Sequence, residues 1–486
     1  MADVTGLIEA RLGVAYDSLE PGSDPVLRPS DHADFQSNGA LPLAKRLGRN
    51  PREVAEAIVS VVDLDGICSV VEVSGPGFIN LTLDSAIVES TLTAMATDPR
   101  LSIAEVAVRD RIIVDYSAPN VAKEMHVGHL RTTCIGDALC RILGFLGYEI
   151  VRENHIGDWG TPFGMLIEHL IDIGEDRAVE ELSVGDLTSF YQDARKSFDG
   201  DPTFSDRARA RVVALQAGDD ETVRLWKVLV EESVAYFNEV YSKLGVLLTD
   251  DDIVGESFYN PMLRDVVSDL RSMGLLRENE GAQCVFVDGF LNREGEPLPL
   301  IVQKSDGGFG YAATDLAAIR DRVERLGGRR ILYVVGVEQS QHLAMCFAAA
   351  RLAGWLPDGV RAEHVSHGAV LGEDRKRLRT RAGSSVKLVA LLDEAVDRAR
   401  EAIATRAAGY SAEEAEEVAQ AVGIGAIKYA DLSTDRDRDY VFDFDRMLAF
   451  DGDTGPYLQY AHARIRSVLR RAEDDGLVPG PQITLV

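Results

Sequence analysis

Cysteine is scarce in this sequence, and the few cysteines present suit neither disulfides nor a metal site. The 486 residues contain five of them, Cys68, Cys134, Cys140, Cys284 and Cys346, and no two form a CxxC pair. An odd, scattered set argues against a disulfide framework and against a zinc site. We therefore expect buried, reduced thiols and no structural metal.

Long apolar runs are also missing. Although 46% of the residues are hydrophobic, no stretch approaches the roughly 18 to 20 apolar residues that a membrane-spanning helix needs. The first residues, Met1 to Thr5, show neither the basic and apolar regions of a secretion signal nor the composition of a transit peptide. The sequence therefore predicts a cytoplasmic protein with no membrane partner.

The sequence also has no excess of basic residues. Asp and Glu total 79 against 51 for Lys and Arg, which gives a formal net charge of −28. Because proteins normally bind nucleic-acid phosphates through clustered Lys and Arg, this balance excludes a broad electrostatic surface for nucleic acid. Any RNA must bind through local basic patches, and the dispersed acidic residues are typical of a solvated surface.

The length allows two to four domains, and residues 1–105 predict a small α+β domain. Asn50 is a suitable N-cap for a helix that begins at Pro51. Two alternating strands, Cys68–Val73 and Phe78–Leu83, follow around a Gly-Pro-Gly turn.

Residues 106–365 alternate between strand and helix patterns. A β-branched strand is predicted at Arg111–Asp115, a helix at Gly128–Leu146 and a strand at Tyr148–Arg152. The same order of strand, helix and strand recurs later, with a strand at 330–335, a helix at 343–353 and a strand at 363–366. This rhythm is typical of an α/β fold with a doubly wound parallel sheet. A helical insertion is expected at about 170–250, and the chain is rich in helix-forming residues beyond about 385.

The segment from Ser117 to His129 holds the densest set of chemically informative residues. It reads SAPNVAKEMHVGH and lies between the first parallel strand and its crossover helix. Open parallel sheets bind ligands at this junction, where a helix N-terminus presents N–H groups to phosphate. His126 and His129 can hydrogen-bond phosphate oxygens whose charge grows in a transition state, and Gly128 allows close approach. By itself, however, such a histidine pair would more often cap or pack the helix.

This segment resembles the HIGH motif of class I aminoacyl-tRNA synthetases, and its wider pattern SxPNxAKxxHxGHLR resembles the arginyl enzymes. Further blocks of that family match in order along nearly the whole chain: 154–160, 303–308, 311–317, 339–342, 380–383 and 451–464. The resemblance implies a class I, Rossmann-like catalytic domain over 106–365. It also implies an additional N-terminal domain over 1–105, a loop region equivalent to the KMSKS loop of class I synthetases over 366–395 and, over 396–486, the beginning of an anticodon-binding domain.

The resemblance assigns the arginine substrate to five residues. Tyr311 and Asp315 would hold the guanidinium, and Asp115, Asn120 and Gln339 would make further arginine contacts. The chemistry agrees, because a Tyr and an Asp four residues apart share a helical face and a carboxylate is the natural partner of a guanidinium. Without the resemblance, an exposed helical Tyr/Asp pair would usually be surface decoration.

The ATP phosphates are assigned to two segments. Most class I synthetases carry a KMSKS loop with a lysine for these phosphates, but the corresponding stretch here, LRTRAGS at 378–384, lacks that lysine. The resemblance assigns Thr380, Arg381 and Gly383 to this loop and makes Lys123 the replacing cation. A solvated surface lysine is the alternative for Lys123.

A tRNA contact is assigned to the N-terminal domain. The resemblance makes this domain a partner of the tRNA D-loop and makes Asn80 a nucleotide contact. An Asn amide can pair with a base edge. An Asn that ends a strand is, however, often engaged only in local structure.

Taken together, the resemblance implies a monomeric arginine–tRNA ligase that uses L-arginine, ATP with Mg²⁺, and tRNA(Arg). Full-length arginyl enzymes continue into a longer helical bundle, so a C-terminally shortened form is expected. Two alternatives stay open: a paralogue that passes activated arginine to another acceptor, and a non-catalytic RNA-binding descendant. Intact His126, Gly128, His129 and Asp315 count against the second alternative.

Overall fold

The structure is a computed structural model that describes residues 4–183, 187–376, 378, 386–404, 410–477, 480 and 483–484. Its internal contacts divide the chain into two compact units, one formed by residues 1–106 with 468–486 and the other by residues 107–467. Within the described residues, no helix combines the length and apolar character needed to cross a bilayer.

The first unit combines helices with an antiparallel sheet. Its elements in chain order are α1 (Val4–Asp17), β1 (Leu27–Pro29), β2 (Phe35–Ser37), α2 (Ala40–Leu47), α3 (Pro51–Val61), β3 (Cys68–Ser74), β4 (Phe78–Leu83) and α4 (Ser85–Thr97). The strands pair in the order β1-β2-β4-β3. Asn50 accepts a hydrogen bond from the backbone N–H of Arg52 at the start of α3, which confirms the predicted cap.

The second unit begins with a βαβ motif and a helical segment. Its first elements are β5 (Arg111–Asp115), α5 (Gly128–Phe145), β6 (Glu149–Glu153), α6 (Pro162–Ile173), α7 (Glu175–Ser183), α8 (Leu187–Gly200), α9 (Pro202–Ala217), α10 (Asp220–Leu244), α11 (Glu256–Tyr259) and α12 (Leu263–Ser272). Five helices, α6 to α10, cover the stretch where the helical insertion is expected, and the first of them begins at Pro162 and not near residue 170.

The remaining elements complete the second unit. They are β7 (Leu276–Asn279), β8 (Ala282–Leu291), β9 (Pro297–Gln303), α13 (Tyr311–Glu324), β10 (Arg330–Tyr333), α14 (Ser340–Leu352), β11 (Arg361–His364), β12 (Val370–Leu371), α15 (Leu388–Ile403), α16 (Ala412–Ser433), β13 (Tyr440–Val441), α17 (Phe444–Met447) and α18 (Gly455–Asp474). Helix α18 runs past residue 467 into the segment grouped with the first unit.

The predicted α/β architecture is confirmed by a parallel sheet with the strand order β11-β10-β5-β6. Helix α5 connects β5 to β6, and α14 connects β10 to β11, so the chain leaves the centre of the sheet in opposite directions. Strand β5 is buried on both faces at Ile112, Ile113 and Val114, as expected for a central parallel strand. The direction of winding therefore switches between the carboxyl ends of β5 and β10.

The antiparallel sheet β7-β8-β9 was not predicted from the sequence. Strand β8 loses its apolar alternation at Asp288 and Gly289, and β9 contains Pro297 and Pro299, residues that argue against a strand. The sheet packs in one hydrophobic cluster with α12, α13 and α14. Tertiary packing therefore outweighs the weak local preference of these strands.

Candidate active site

A cleft of about 880 Å³ opens at the carboxyl ends of β5 and β10, where the sheet switches direction. Eight of the residues singled out in the sequence line it: Asp115, Asn120, His126, Gly128, His129, Tyr311, Asp315 and Gln339. They come from β5, from residues 117–129 (the signature segment), from α13 and from the turn before α14. The fold thus brings together blocks that are far apart in the sequence.

The two histidines of the signature segment form one hydrogen-bonded unit. His129 Nδ1 accepts the backbone N–H of His126 at 3.1 Å, and His126 Nδ1 accepts the backbone N–H of Gly128 at 3.0 Å. The ring centroids are 4.1 Å apart. Because each Nδ1 acts as an acceptor, each neutral ring carries its proton on Nε2, where it can be donated to a phosphate oxygen.

His129 is held in the neutral form. Burial, together with the neighbouring His126, lowers the pKa of His129 to about 3. At neutral pH it is therefore an N–H donor and not a cation. It lies in the first turn of α5, where the unpaired backbone N–H groups and the helix dipole also favour an anion.

Gly128 has a second role that the sequence did not reveal. A Cβ atom at this position would lie 2.7 Å from Cε1 and 2.8 Å from Nδ1 of the His126 ring. The absence of a side chain thus gives room to the catalytic candidate His126 as well as to a ligand.

Residues 154–160, with the sequence NHIGDWG, hydrogen-bond to the signature segment and stabilise its backbone. Asn154 Oδ1 accepts the N–H of Ala118 at 3.0 Å, and its Nδ2 donates to the Tyr241 hydroxyl at 2.9 Å. The Tyr241 hydroxyl also lies 2.8 Å from Ser117 Oγ. Ser117 and Ala118 have positive φ values of 74° and 48°. These buried bonds hold a strained backbone beside the cleft.

Asp158 of the same block orders the start of α11. Its carboxylate accepts the backbone N–H of Ser257 at 2.8 Å and the Ser257 hydroxyl at 2.6 Å. The preceding residue, Glu256, lines the cleft. Burial raises the pKa of Glu256 to about 7, with further contributions from Asp158 and Asp315.

Asp315 is paired with a histidine from α14. His342 Nε2 and Asp315 Oδ2 are 2.6 Å apart, and this hydrogen bond raises the pKa of His342. Cys346 Sγ lies 3.6 Å from the same nitrogen. The three side chains place possible metal ligands within 4.8 Å of one another, but the Asp315–His342 hydrogen bond already accounts for their proximity. Tyr311, one turn before Asp315, is 78% exposed at the cleft.

Different parts of the cleft suit ligands of opposite charge. Its carboxylates are Asp115, Glu256, Asp315, Glu338 and Asp439. Arg131, which also lines the cleft, is buried in an ion pair with Asp431 at 2.9 Å. The carboxylates therefore suit a cationic ligand, whereas the start of α5 suits an anionic one.

Two of the predicted site residues, Lys123 and Asn80, lie outside the lining of this cleft, and three others are not described by the structure. Lys123 has its Nζ 4.4 Å from the centroid of the Tyr191 ring. Asn80 belongs to the first unit, where its buried amide accepts from Gln36 Nε2 at 2.8 Å and donates to Ser74 Oγ at 3.1 Å. The other three, Thr380, Arg381 and Gly383, lie outside the described residues.

Three residues at or behind the cleft were missed by the sequence reasoning. His342 lies in residues 339–342, a block that matches the family, so the sequence could have identified it as a candidate site residue. Arg322, behind Asp115, shares a face of α13 with Asp315 but would be read as a surface cation, because arginine is rarely fully buried. Glu256 carries no sequence signal that we can identify.

Two family descriptions match this chain. The description "tRNA synthetases class I (R), catalytic domain" matches residues 91–444, and "Arginyl tRNA synthetase N terminal domain" matches residues 6–83. The chain is 56% identical over 98% of its length to an arginine–tRNA ligase of Thermobifida fusca, of which it covers 83%. It is 51% identical over 96% of its length to that of Frankia casuarinae, of which it covers 81%.

Solved structures of the same kind resemble this fold. The arginyl-tRNA synthetase of Plasmodium falciparum superposes with a TM-score of 0.83 at 31% identity, over 97% of this chain and 81% of that one. The Thermus thermophilus enzyme superposes with a TM-score of 0.78 at 23% identity, over 96% and 82%. These similarities confirm the fold class that the sequence motifs implied.

Proposed function

Because the chain belongs to the arginyl-tRNA synthetase family, we propose that it activates L-arginine with ATP and transfers the arginyl group to the terminal adenosine of tRNA(Arg). The division of charge in the cleft is the observation that carries this proposal. Carboxylates line the cleft together with the start of α5, His126 and the neutral His129. Arginine and ATP present a cationic side chain and an anionic phosphate chain to such a site.

The carboxylates define where arginine binds. We place the guanidinium at Asp315 and Tyr311, where a carboxylate and an exposed ring share one helical face. The α-ammonium group then lies near Asp115, because this residue ends β5 immediately before the signature segment, where the reacting carboxylate must meet ATP. Asn120 and Gln339 complete the contacts as polar residues of the same cleft.

The signature segment acts on the phosphates. An oxygen of the arginine carboxylate attacks the α-phosphorus of ATP and pyrophosphate leaves, which gives arginyl-adenylate. Nε2–H groups of His126 and His129 donate to phosphate oxygens as their charge grows, and the start of α5 adds its dipole. The 2′-hydroxyl of the terminal adenosine then attacks the adenylate carbonyl, and AMP leaves.

Other elements of the proposal rest on the family motifs. Thr380, Arg381 and Gly383 would contact ATP, and Lys123 would meet its phosphates after leaving the Tyr191 ring. Mg²⁺ would accompany ATP and neutralise phosphate charge; Glu338 and Asp439 are cleft carboxylates of the type that it prefers. Asn80 would contact tRNA. We also propose a monomer that acts in the cytoplasm.

Arginine-dependent exchange of labelled pyrophosphate into ATP tests this function. We expect exchange in the presence of tRNA(Arg) and its loss in His129→Ala, because the variant lacks one phosphate donor. The Cys68→Ser variant, altered at a thiol of the first unit, is the control and should retain activity. Robust exchange without any tRNA would favour the altered-acceptor paralogue, and the absence of exchange with tRNA would contradict the proposal.

A further inference from the structure

A buried arginine links two carboxylates behind the cleft. Arg322, on α13, is 1% exposed. Its Nη2 lies 2.8 Å from Asp115 Oδ2, and its Nε is hydrogen-bonded to Glu153 Oε2. Asp115 and Glu153 are paired residues at the ends of the neighbouring strands β5 and β6, and both are buried.

The formal charges of these three side chains do not cancel. Two carboxylates and one guanidinium leave a net charge of −1 in a site of low dielectric constant. Asp115 lines the cleft, and its Oδ1 has no hydrogen-bond partner among the residues that the structure describes. A residue that lines the cleft therefore carries negative charge and one acceptor atom, Oδ1, that is not used within the described residues.

A second buried arginine shows the contrasting arrangement. Arg131 is paired with one carboxylate, that of Asp431, and also donates to the backbone oxygen of Arg438 at 2.7 Å. There a single buried anion offsets a single buried cation. Because burying a carboxylate is costly, a further cation near Asp115 would stabilise the pair of carboxylates beside Arg322. The cationic substrate of the adjoining cleft supplies one.

We propose that Arg322 and Glu153 are positioning residues that prepare Asp115 for the α-ammonium group of arginine. Arg322 holds the Asp115 carboxylate by one hydrogen bond from Nη2, while Nε on the same edge of the planar guanidinium binds Glu153. Glu153 offsets the charge of Arg322, so that the group remains net negative towards the cleft. This inference rests on the function proposed above and adds two residues that do not themselves contact the substrate.

The Glu153→Gln variant separates this role from a merely structural one. It keeps the shape of the side chain and makes the group of three neutral. We would measure binding by calorimetry in the presence of tRNA(Arg) for two ligands: arginine and 5-guanidinopentanoate, which is arginine without its α-amino group. We expect about tenfold weaker binding of arginine, since one nearby charge is lost, and binding of the analogue within twofold of wild type.

A matched control lies in the same sheet. Glu363 pairs with Arg330 across β11 and β10 at 2.7 Å and does not line the cleft. Glu363→Gln should therefore bind both ligands as wild type does. A second test variant, Arg322→Lys, keeps the charge but loses the planar guanidinium, and it should show the same selective loss of arginine. Thermal unfolding of each variant verifies that it is folded.

The outcomes distinguish this inference from the function on which it rests. If the wild-type chain catalyses exchange but Glu153→Gln does not selectively weaken the binding of arginine, only the positioning role is overturned. Equal weakening of both ligands would show a general structural role and would also overturn it. If the wild-type chain binds no arginine at all, the proposed function and this inference both fail.

Discussion

Glu124 and Lys387 form a 2.7 Å ion pair that connects the signature segment to the chain just beyond residues 377–385. The Glu124 side chain is 4% exposed and also accepts a hydrogen bond from Thr188 of α8 at 2.7 Å. Beside the pair, the backbone N–H of Val127 donates to the oxygen of Val386 at 3.0 Å. One carboxylate therefore connects the signature segment, the insertion and the end of the proposed ATP loop.

Glu124→Gln should weaken ATP binding. Loss of the charge removes the ion pair with Lys387, and the expected rise in KM for ATP is roughly threefold to tenfold, with KM for arginine little changed. Pyrophosphate exchange at varied ATP measures this effect. Glu239→Gln, which alters a nearby exposed ion pair with Lys243, serves as the control. An unchanged KM for ATP would contradict the linking role of Glu124.

The His342–Asp315 pair should make arginine binding depend on pH. The hydrogen bond raises the pKa of His342. The contribution of the pair to the stability of the folded chain is therefore complete below about pH 6.5 and is lost as pH rises through the raised pKa. Protonated His342 competes with the guanidinium for Asp315. We therefore expect KM for arginine to fall between pH 6 and 8.5, and His342→Gln to reduce this fall. A profile unaltered by the substitution would contradict the competition.

Glu256 should contribute to arginine binding only when it is ionised. Its pKa of about 7 lies above the ordinary value because of burial, so the folded chain loses stability as pH rises from about 4.5 to 7. A substrate cation favours the ionised form. Glu256→Gln should therefore raise KM for arginine several-fold at pH 8 and have little effect at pH 6. Equal effects at both pH values would exclude titration of Glu256 as the cause.

Gly128→Ala should displace the His126 ring, because the added Cβ would lie 2.7 Å from it. Loss of one well-placed donor to a developing charge costs about 100-fold or more in rate, and we expect kcat for pyrophosphate exchange to fall by that order. Gly144→Ala, on the same helix, is the control because its Cβ would make only an ordinary 3.7 Å contact with Ile150. Similar activities for the two variants would refute the steric argument.

Asp431→Asn should destabilise the second unit. Asp431 is buried, and burial raises its pKa to about 6 despite the opposing effect of Arg131. Removing its charge leaves Arg131 buried without a counterion, which costs about 3–5 kcal/mol. Urea or thermal unfolding measures the loss. The paired replacement Arg131→Met with Asp431→Leu should recover part of it, and exposed Asp437→Asn should have little effect.

Local patterns in the sequence were sufficient to predict much of this protein. The apolar run of β5, the cap at Asn50 and the periodicity of α5 each depend on near neighbours, so the elements appear where they were expected. The histidine pair was predictable for the same reason, since its residues and the helix start beside it are adjacent in the chain.

Packing between distant segments decided the rest. Whether Arg322 lies on a surface or behind Asp115, and whether His342 meets Asp315, depends on how α13 and α14 pack around the parallel sheet. A side chain's burial, its partner and hence its pKa are set by contacts that no local pattern contains. The motifs thus identified the candidate site residues, while the fold determined their partners, burial and orientation.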